Sequence, residues 1–137
     1  IYTRILDSGP HSFVRTVLLM HRGMAEFSDG AYREALGDFS AALELDPSNA
    51  RAHFYRGTVC RALGDYEQAE TDFSNSLAID PYRVECLYQR SALRLQLGDL
   101  AGALEDCNAA LSVEPDSAML KRMAAAIRER RASGGAK

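Results

Sequence analysis

The chain has 137 residues, of which 47% are hydrophobic and 26% are charged, and its formal net charge is −3 at pH 7. These proportions are typical of a globular domain and exclude a disordered or fibrous chain. Because no apolar stretch approaches the roughly 20 residues that cross a bilayer, we expect no membrane span. The slightly acidic charge also argues against nucleic acid as the main partner.

Several residue types recur at a fixed spacing of 34 positions. The series are Pro47, Pro81 and Pro115; Gly30, Gly64 and Gly98; Ala35, Ala69 and Ala103; and Leu43, Leu77 and Leu111. A period of this length is typical of stacked helical hairpins, since a single hairpin cannot bury its apolar face. The predicted segments are a lead-in at 1–15, repeats at 16–49, 50–83 and 84–117, a capping helix at 118–131 and a flexible tail at 132–137.

Each repeat is predicted to contain two helices joined by a short turn. The first repeat predicts a helix that ends near Phe27 and a second over 32–45. The later repeats predict helices over 50–63 and 66–79, then over 83–97 and 100–113. Gly64 and Gly98 suit the left-handed residue that follows a helix, and the proline series stops the second helices.

The two ends of the chain lie outside the repeats. From Asp116 to about Arg130 the apolar residues follow a helical period, so we expect a helix that covers the third repeat. Residues 1–6 are apolar and precede a break at Ser8-Gly9-Pro10. They are expected to be either the end of a preceding helix or an ordered arm.

Small residues and large apolar residues alternate between the predicted helices. Gly23, Gly57 and Ser91 would let the first helices approach the second helices closely. The predicted core consists of Leu36, Phe39, Leu43, Leu63, Phe73, Leu77, Leu97, Leu104 and Leu111.

The pattern resembles the tetratricopeptide repeat (TPR) family, whose unit is a 34-residue helix–turn–helix. The middle repeat matches best, through Gly57, Gly64, Asp65, Tyr66, Ala69, Phe73, Leu77 and Pro81. The resemblance runs from Thr16 to Pro115 and departs from the family pattern at Ser76, Ser91 and Leu100. It implies an all-α fold, a right-handed α-solenoid of hairpins with a concave groove lined by the first helix of each repeat.

A second series with the same period is charged. Arg22, Arg56 and Arg90 recur every 34 residues, as do Asp38, Asp72 and Asp106. An arginine fork can hold a carboxylate through two parallel hydrogen bonds, so we expect structural ion pairs within each hairpin or between neighbouring hairpins. The alternative is that these side chains point to solvent. Arg94 lies outside the series and is expected to be free.

Candidate binding residues come from the positions that line the groove in the TPR family. In the first repeat they are Val17, Met20, His21, Met24, Phe27 and Ser28. In the second they are Arg51, Phe54, Tyr55, Thr58 and Arg61, and in the third Glu85, Tyr88, Gln89, Ala92, Leu95 and Gln96. Some of them are expected to pack between helices, and for Tyr55 both an exposed and a packing role remain open. The methionines and aromatic residues predict an adaptable apolar surface for a protein or peptide segment.

Some TPR domains hold the acidic tails of chaperones in a carboxylate clamp of Lys, Asn and Arg side chains. The corresponding positions here are Met20, Met24, Tyr55, Glu85 and Gln89. None carries the family's residue, and Glu85 would repel the tail. The resemblance therefore argues against a chaperone tail as the partner.

Catalytic chemistry has little support in the sequence. The three histidines have no metal-ligand spacing, and Cys60, Cys86 and Cys107 form no pair typical of a metal site. We expect no enzyme activity, cofactor or metal, and reduced cysteines in an intracellular, cytoplasmic setting.

The leading hypothesis is a non-catalytic scaffold that binds a partner helix or extended segment in the groove. The alternative is a self-assembly module of a larger TPR protein. Nucleic-acid binding would depend only on residues 116–137, where six Lys and Arg outnumber two Asp and Glu.

Overall fold

The computed structural model describes residues 10–135, and within this range the chain forms seven α-helices and no strand. The helices are α1 (Pro10–Ser28), α2 (Tyr32–Leu45), α3 (Ala50–Leu63), α4 (Tyr66–Ile79), α5 (Val84–Leu97), α6 (Leu100–Val113) and α7 (Ala118–Gly135).

Helix ends follow from local backbone chemistry. Gly64 and Gly98 end α3 and α5 in the left-handed conformation, with φ of 86° and 90°. At the start of α3, the side chain of Asn49 accepts a hydrogen bond from the Ala52 backbone N–H, and at the start of α6, Asp99 accepts one from Gly102. These caps satisfy backbone N–H groups that have no partner inside the helix.

The structure divides into two compact units, one ending at Ile79 and the other beginning at Asp80. In the first unit, α1 packs on α2, α2 on α3, and α3 on α4. In the first hairpin Gly23 faces the ring of Phe39, and in the second hairpin Gly57 faces the ring of Phe73. Both distances leave no room for a β-carbon. Both phenylalanines are fully buried, so the core of this unit depends on glycine at these two crossings.

The second unit contains the α5–α6 hairpin and α7. Here Ser91 occupies the small-residue position, and its hydroxyl donates a hydrogen bond of 2.7 Å to the carbonyl of Ala103. Helix α7 packs on α6, where the Cys107 thiol donates to the Leu120 carbonyl at 3.3 Å. Arg130 also donates to the carbonyl of Leu95, at 2.9 Å. Helix α7 therefore covers α6 within this unit.

Three sequence predictions differ from the structure. Helix α1 begins at Pro10, so six residues of the predicted lead-in are helical; proline is favoured in the first helical turn because it needs no backbone N–H there. Helix α7 continues to Gly135, beyond the predicted start of a flexible tail at 132. Leu97, predicted to be buried, is largely exposed beside the Gly98 turn. The predictions for residues 1–6 lie outside the described residues.

Within residues 10–135, no helix is both long enough and apolar enough to cross a membrane.

Candidate functional site

Each hairpin contains one arginine–aspartate pair of the predicted charged series. In all three, the guanidinium donates from Nε and Nη2 to the two carboxylate oxygens of the aspartate on the next helix. The distances are 2.7 and 2.7 Å for Arg22–Asp38, 3.0 and 2.8 Å for Arg56–Asp72, and 2.8 and 2.7 Å for Arg90–Asp106. Two parallel bonds fix the relative orientation of the two helices.

The middle pair also joins neighbouring hairpins. Asp72 is fully buried, and Gln68 donates to it at 3.2 Å in addition to Arg56. The Nη1 of Arg56 donates to the hydroxyl of Ser40 on α2 at 3.5 Å. Arg56 therefore contacts its own hairpin with one edge of the guanidinium and the preceding hairpin with the other.

The residue one helical turn after each arginine differs from repeat to repeat. The three residues are Glu26, Cys60 and Arg94. Arg94 lies 3.1 Å from Asp106, so the expectation that it is free was wrong. Residues four apart share one face of a helix, and this places Arg94 beside Arg90.

These neighbours change the electrostatics of the first two pairs. The Arg22 guanidinium holds the pKa of Asp38 below its usual range. The pKa of Glu26 is raised, first by a hydrogen bond with Asp38 and second by burial. In the second repeat, burial raises the pKa of the Cys60 thiol to about 11. A thiol in this environment stays protonated at neutral pH and is a poor nucleophile.

An apolar cleft of about 260 Å³ lies in the first unit, between α1 and the start of α3. Phe13, Val17, Met20, His21 and Met24 line its α1 side. Asp46, Asn49 and Arg51 line the opposite side, together with Thr16 from α1. Phe13 is 71% exposed, so the cleft presents a large aromatic surface to solvent.

The structure places the first-repeat candidates in different environments. Met20 belongs to the core and is only 7% exposed, although its edge lines the cleft. Met24 and Phe27 pack against the same core, and the Phe27 ring lies 5.4 Å from that of Tyr32. His21 is exposed in the cleft. Met20, Met24 and Phe27 therefore contribute to packing as well as to the surface.

The second-repeat candidates contribute mostly to packing. Phe54 is buried, with its ring 6.1 Å from that of Phe73. The half-buried Tyr55 ring stacks on Phe39 at 5.6 Å and lies 5.2 Å from Phe54. Tyr55 thus packs between hairpins, and because its ring is only half-buried, its role in binding stays a prediction.

Arg51, Thr58 and Arg61 complete the second-repeat candidates. Arg51 is exposed in the cleft, with its guanidinium 5.8 Å from the centre of the Tyr55 ring. The Thr58 hydroxyl donates to the Phe54 carbonyl within α3 at 2.9 Å. Arg61 is half-buried in the last turn of the same helix. Among these three, the structure brings only Arg51 into the cleft.

The third-repeat candidates lie on α5 in the second unit. Glu85 is exposed in the first turn, while Tyr88 and Gln89 are half-buried.

Phe13 is a cleft residue that the sequence analysis missed. It fell within the predicted lead-in at 1–15, because the repeat pattern begins only at Thr16. The signal was Pro10 followed by helix-forming and apolar residues, which is typical of a helix start. Extending the first helix upstream to Pro10 would have included Phe13 in the same face as Val17, four residues later.

No group of three His, Cys, Asp or Glu side chains in the described part of the chain could hold a metal ion. The three cysteines are buried thiols that form no disulfide.

Comparison with known proteins agrees with this architecture. Residues 21–84 and residues 84–117 match two family profiles, both described as tetratricopeptide repeat. The chain therefore belongs to the tetratricopeptide repeat family, and its fold is an all-α solenoid of TPR hairpins. No curated protein sequence matches the chain.

Solved TPR domains are similar over most of their length. The first TPR domain of human RPAP3 is 26% identical with a TM-score of 0.82, over 91% of this chain and 96% of that one. The first TPR of Spaghetti (RPAP3), bound to the HSP90 peptide SRMEEVD, is 24% identical with a TM-score of 0.83, over 86% and 94%. The Yersinia enterocolitica secretion chaperone SycD, in complex with a peptide of the translocator YopD, is 21% identical with a TM-score of 0.77, over 83% and 92%.

Proposed function

We propose that this chain is a non-catalytic protein-interaction scaffold that binds an apolar helix or extended segment of a partner against the first helices of its repeats. The observation that carries the proposal is the cleft between α1 and α3, where Phe13 and Val17 are exposed beside Met20 and Met24. An exposed aromatic ring next to flexible thioethers fits varied apolar side chains. Similar domains that hold peptides, such as SycD with its YopD peptide, support this class of function.

The polar side of the cleft gives the proposed partner an orientation. Asp46 and Arg51 lie on the α3 side, and His21 lies on α1. An apolar side chain would pack on Phe13 and Val17, while polar groups of the bound segment meet Asp46 and Arg51. Such an arrangement separates affinity, supplied by the apolar anchor, from specificity, supplied by charges at the rim.

The proposed mode differs from a carboxylate clamp. In the first unit, the clamp positions carry the thioethers of Met20 and Met24 and the packed ring of Tyr55. In the second unit they carry the exposed carboxylate of Glu85 and the amide of Gln89. None of these groups is a cation that would pair with an acidic tail.

A displayed library of short peptides, selected on the purified protein, tests the proposal. We expect the selected peptides to be rich in apolar residues, and their affinity to fall about tenfold or more on Phe13→Gln or Val17→Gln. Met119→Gln is the matched control, because Met119 is also an exposed apolar side chain but lies on α7. Affinity that is unchanged by both cleft variants would refute the proposal.

The peptide SRMEEVD tests the carboxylate-clamp mode separately. In titrations of the labelled peptide we expect no saturable binding to this chain. Saturable binding that is lost at high salt would restore a charge-based clamp for acidic tails.

A further inference from the structure

A second exposed apolar surface lies on α1, on nearly the opposite side of the helix from the cleft. We call it the edge face and define it by Val14, Arg15, Leu18, Leu19 and Arg22. The last four of these line a concavity of about 390 Å³. Leu18 is 63% exposed and Val14 is 53% exposed, which is unusual for large aliphatic side chains in the middle of a helix that also packs on a core.

The repeat period shows what covers the corresponding surface elsewhere in this molecule. The position of Leu18 is occupied by Ala52 of α3 one period later and by Leu120 of α7 three periods later. Both are 0% exposed. Ala52 packs in one cluster with Ala42 and Leu43 of α2. The carbonyl of Leu120 accepts a hydrogen bond from the Cys107 thiol of α6. In both cases the cover is the second helix of a hairpin.

The hydrogen bonds of Arg22 and Arg56 also show where a covering helix is present and where it is absent. Arg56 uses Nε and Nη2 to hold Asp72, and its Nη1 reaches the hydroxyl of Ser40 on the covering helix α2. Arg22 holds Asp38 through the same two nitrogens. Its Nη1 has no hydrogen-bond partner among residues 10–135, and its side chain is 67% exposed, against 22% for Arg56.

We propose that the edge face binds a separate acidic amphipathic α-helix, seated as α2 is seated on α3. An apolar residue of that helix would cover Leu18, as Leu43 helps to bury Ala52, and a hydroxyl or carboxylate would accept from Nη1 of Arg22. The open Nη1 of Arg22 favours a helix that carries a carboxylate at this position. This surface is distinct from the cleft of the proposed function.

A second copy of this chain is a poorer occupant. Two edge faces related by a two-fold axis would bring the Nη1 donors of the two Arg22 side chains together, and neither copy would supply an acceptor there. A head-to-tail contact would need the outer face of α6, which α7 already covers.

The chain itself supplies a probe for the experiment. A peptide of residues 31–46 reproduces α2, and it carries one Arg against four carboxylates. Since an isolated helix of this length is marginal in water, a side-chain staple between positions 33 and 37, both exposed in the structure, would hold it helical. The peptide carries a fluorophore, and binding to the intact protein is followed by anisotropy.

We expect saturable binding to the wild-type chain, weakened about tenfold or more by Leu18→Glu and by raised salt. Phe13→Gln, in the cleft, should leave it unchanged, so the outcome is independent of the proposed function. On the peptide, Leu43→Lys should abolish binding and Glu34→Gln should preserve it, because Leu43 is buried in the α2–α3 cluster and Glu34 is exposed.

Four outcomes would overturn the inference. The first is the absence of saturable binding, and the second is equal affinity for wild type and Leu18→Glu. In the third, sedimentation shows a dimer that Leu18→Glu dissociates, and the occupant is then a second copy. In the fourth, binding appears only after removal of residues 1–9, and the occupant is then the chain's own N-terminal segment. A melting curve of Leu18→Glu that matches wild type confirms that a loss of binding does not come from unfolding.

Discussion

Arg94 and Asp106 lie 3.1 Å apart, so the third aspartate of the series is held by two arginines on α5, while the first two are each held by one. Arg90 and Arg94 are one helical turn apart and approach the same carboxylate. The corresponding residues of the other repeats, Glu26 and Cys60, give each pair a different net charge. The three repeats thus share the geometry of the arginine–aspartate pair but differ in the charge of the residue beside it.

Arg56→Ala should lower the free energy of unfolding by about 2–4 kcal/mol, because it leaves the buried carboxylate of Asp72 with Gln68 as its closest remaining donor. Arg33→Ala, at an exposed position on α2, is the control and should change stability by less than about 0.5 kcal/mol. Urea unfolding of both variants measures the difference. Equal midpoints would show that the pair contributes no net stability.

The charged pairs illustrate what the sequence could predict. Arginine and aspartate share the 34-residue period, so the sequence indicated the pairs, and glycine and proline at fixed positions marked most helix ends to within a residue. The contact of Arg94 lies outside the 34-residue period and follows only from its position four residues after Arg90 on the same helix. The burial of Met20 and the packing of Tyr55 depend on how neighbouring helices approach, which no single repeat reveals.

Gly57→Ala should destabilise the first unit by about 1–3 kcal/mol. The added β-carbon would lie 2.8 Å from the Phe73 ring and 3.1 Å from the β-carbon of Asp72, in a core that has no room to shift. Gly37→Ala is the matched control, since its β-carbon would meet open space. That change should stabilise the protein by about 0.5–1 kcal/mol, because alanine favours a helix. If both variants melt at the same temperature, the close approach at Gly57 is not a constraint.

Glu26→Gln should raise the melting temperature at pH 7, where the ionised carboxylates of Glu26 and Asp38 repel each other. The folded-state pKa of Glu26 is raised above its ordinary value of 4.5, so its favourable contribution is present below pH 4.5 and is lost as the pH rises through the raised pKa. The advantage of the variant should therefore disappear on acidification to below pH 4.5. Melts across this range, with Glu44→Gln as an exposed control, measure the effect. A constant difference at all pH values would contradict it.

Tyr55→Ala should cost about 2 kcal/mol of stability, since the half-buried ring packs on Phe39 and Phe54. Tyr55→Phe keeps the ring and should be close to neutral, because the hydroxyl makes no hydrogen bond within the described residues. Thermal melts compare the two variants. An unchanged melting temperature for Tyr55→Ala would return this residue to the list of exposed binding candidates.

Helix α7 should be required for the stability of the second unit. Its residues Leu120, Ala124 and Ile127 are spaced by four and three positions and are almost completely buried. Ile127→Ala should therefore cost about 2–4 kcal/mol, through lost burial and the cavity left behind. Met119→Ala, on an exposed part of the same helix, should cost less than about 0.5 kcal/mol.

Removal of residues 118–137 extends the same prediction. Truncation would expose the apolar surface of α6 around Cys107 and Ala110, both fully buried in the structure. A terminal hairpin without a polar cover is prone to aggregation. Sedimentation of the truncated chain should show higher oligomers where the full chain shows none. If the truncated chain sediments like the full chain and melts at the same temperature, α7 is an appendage and the burial of Ile127 contributes nothing to stability.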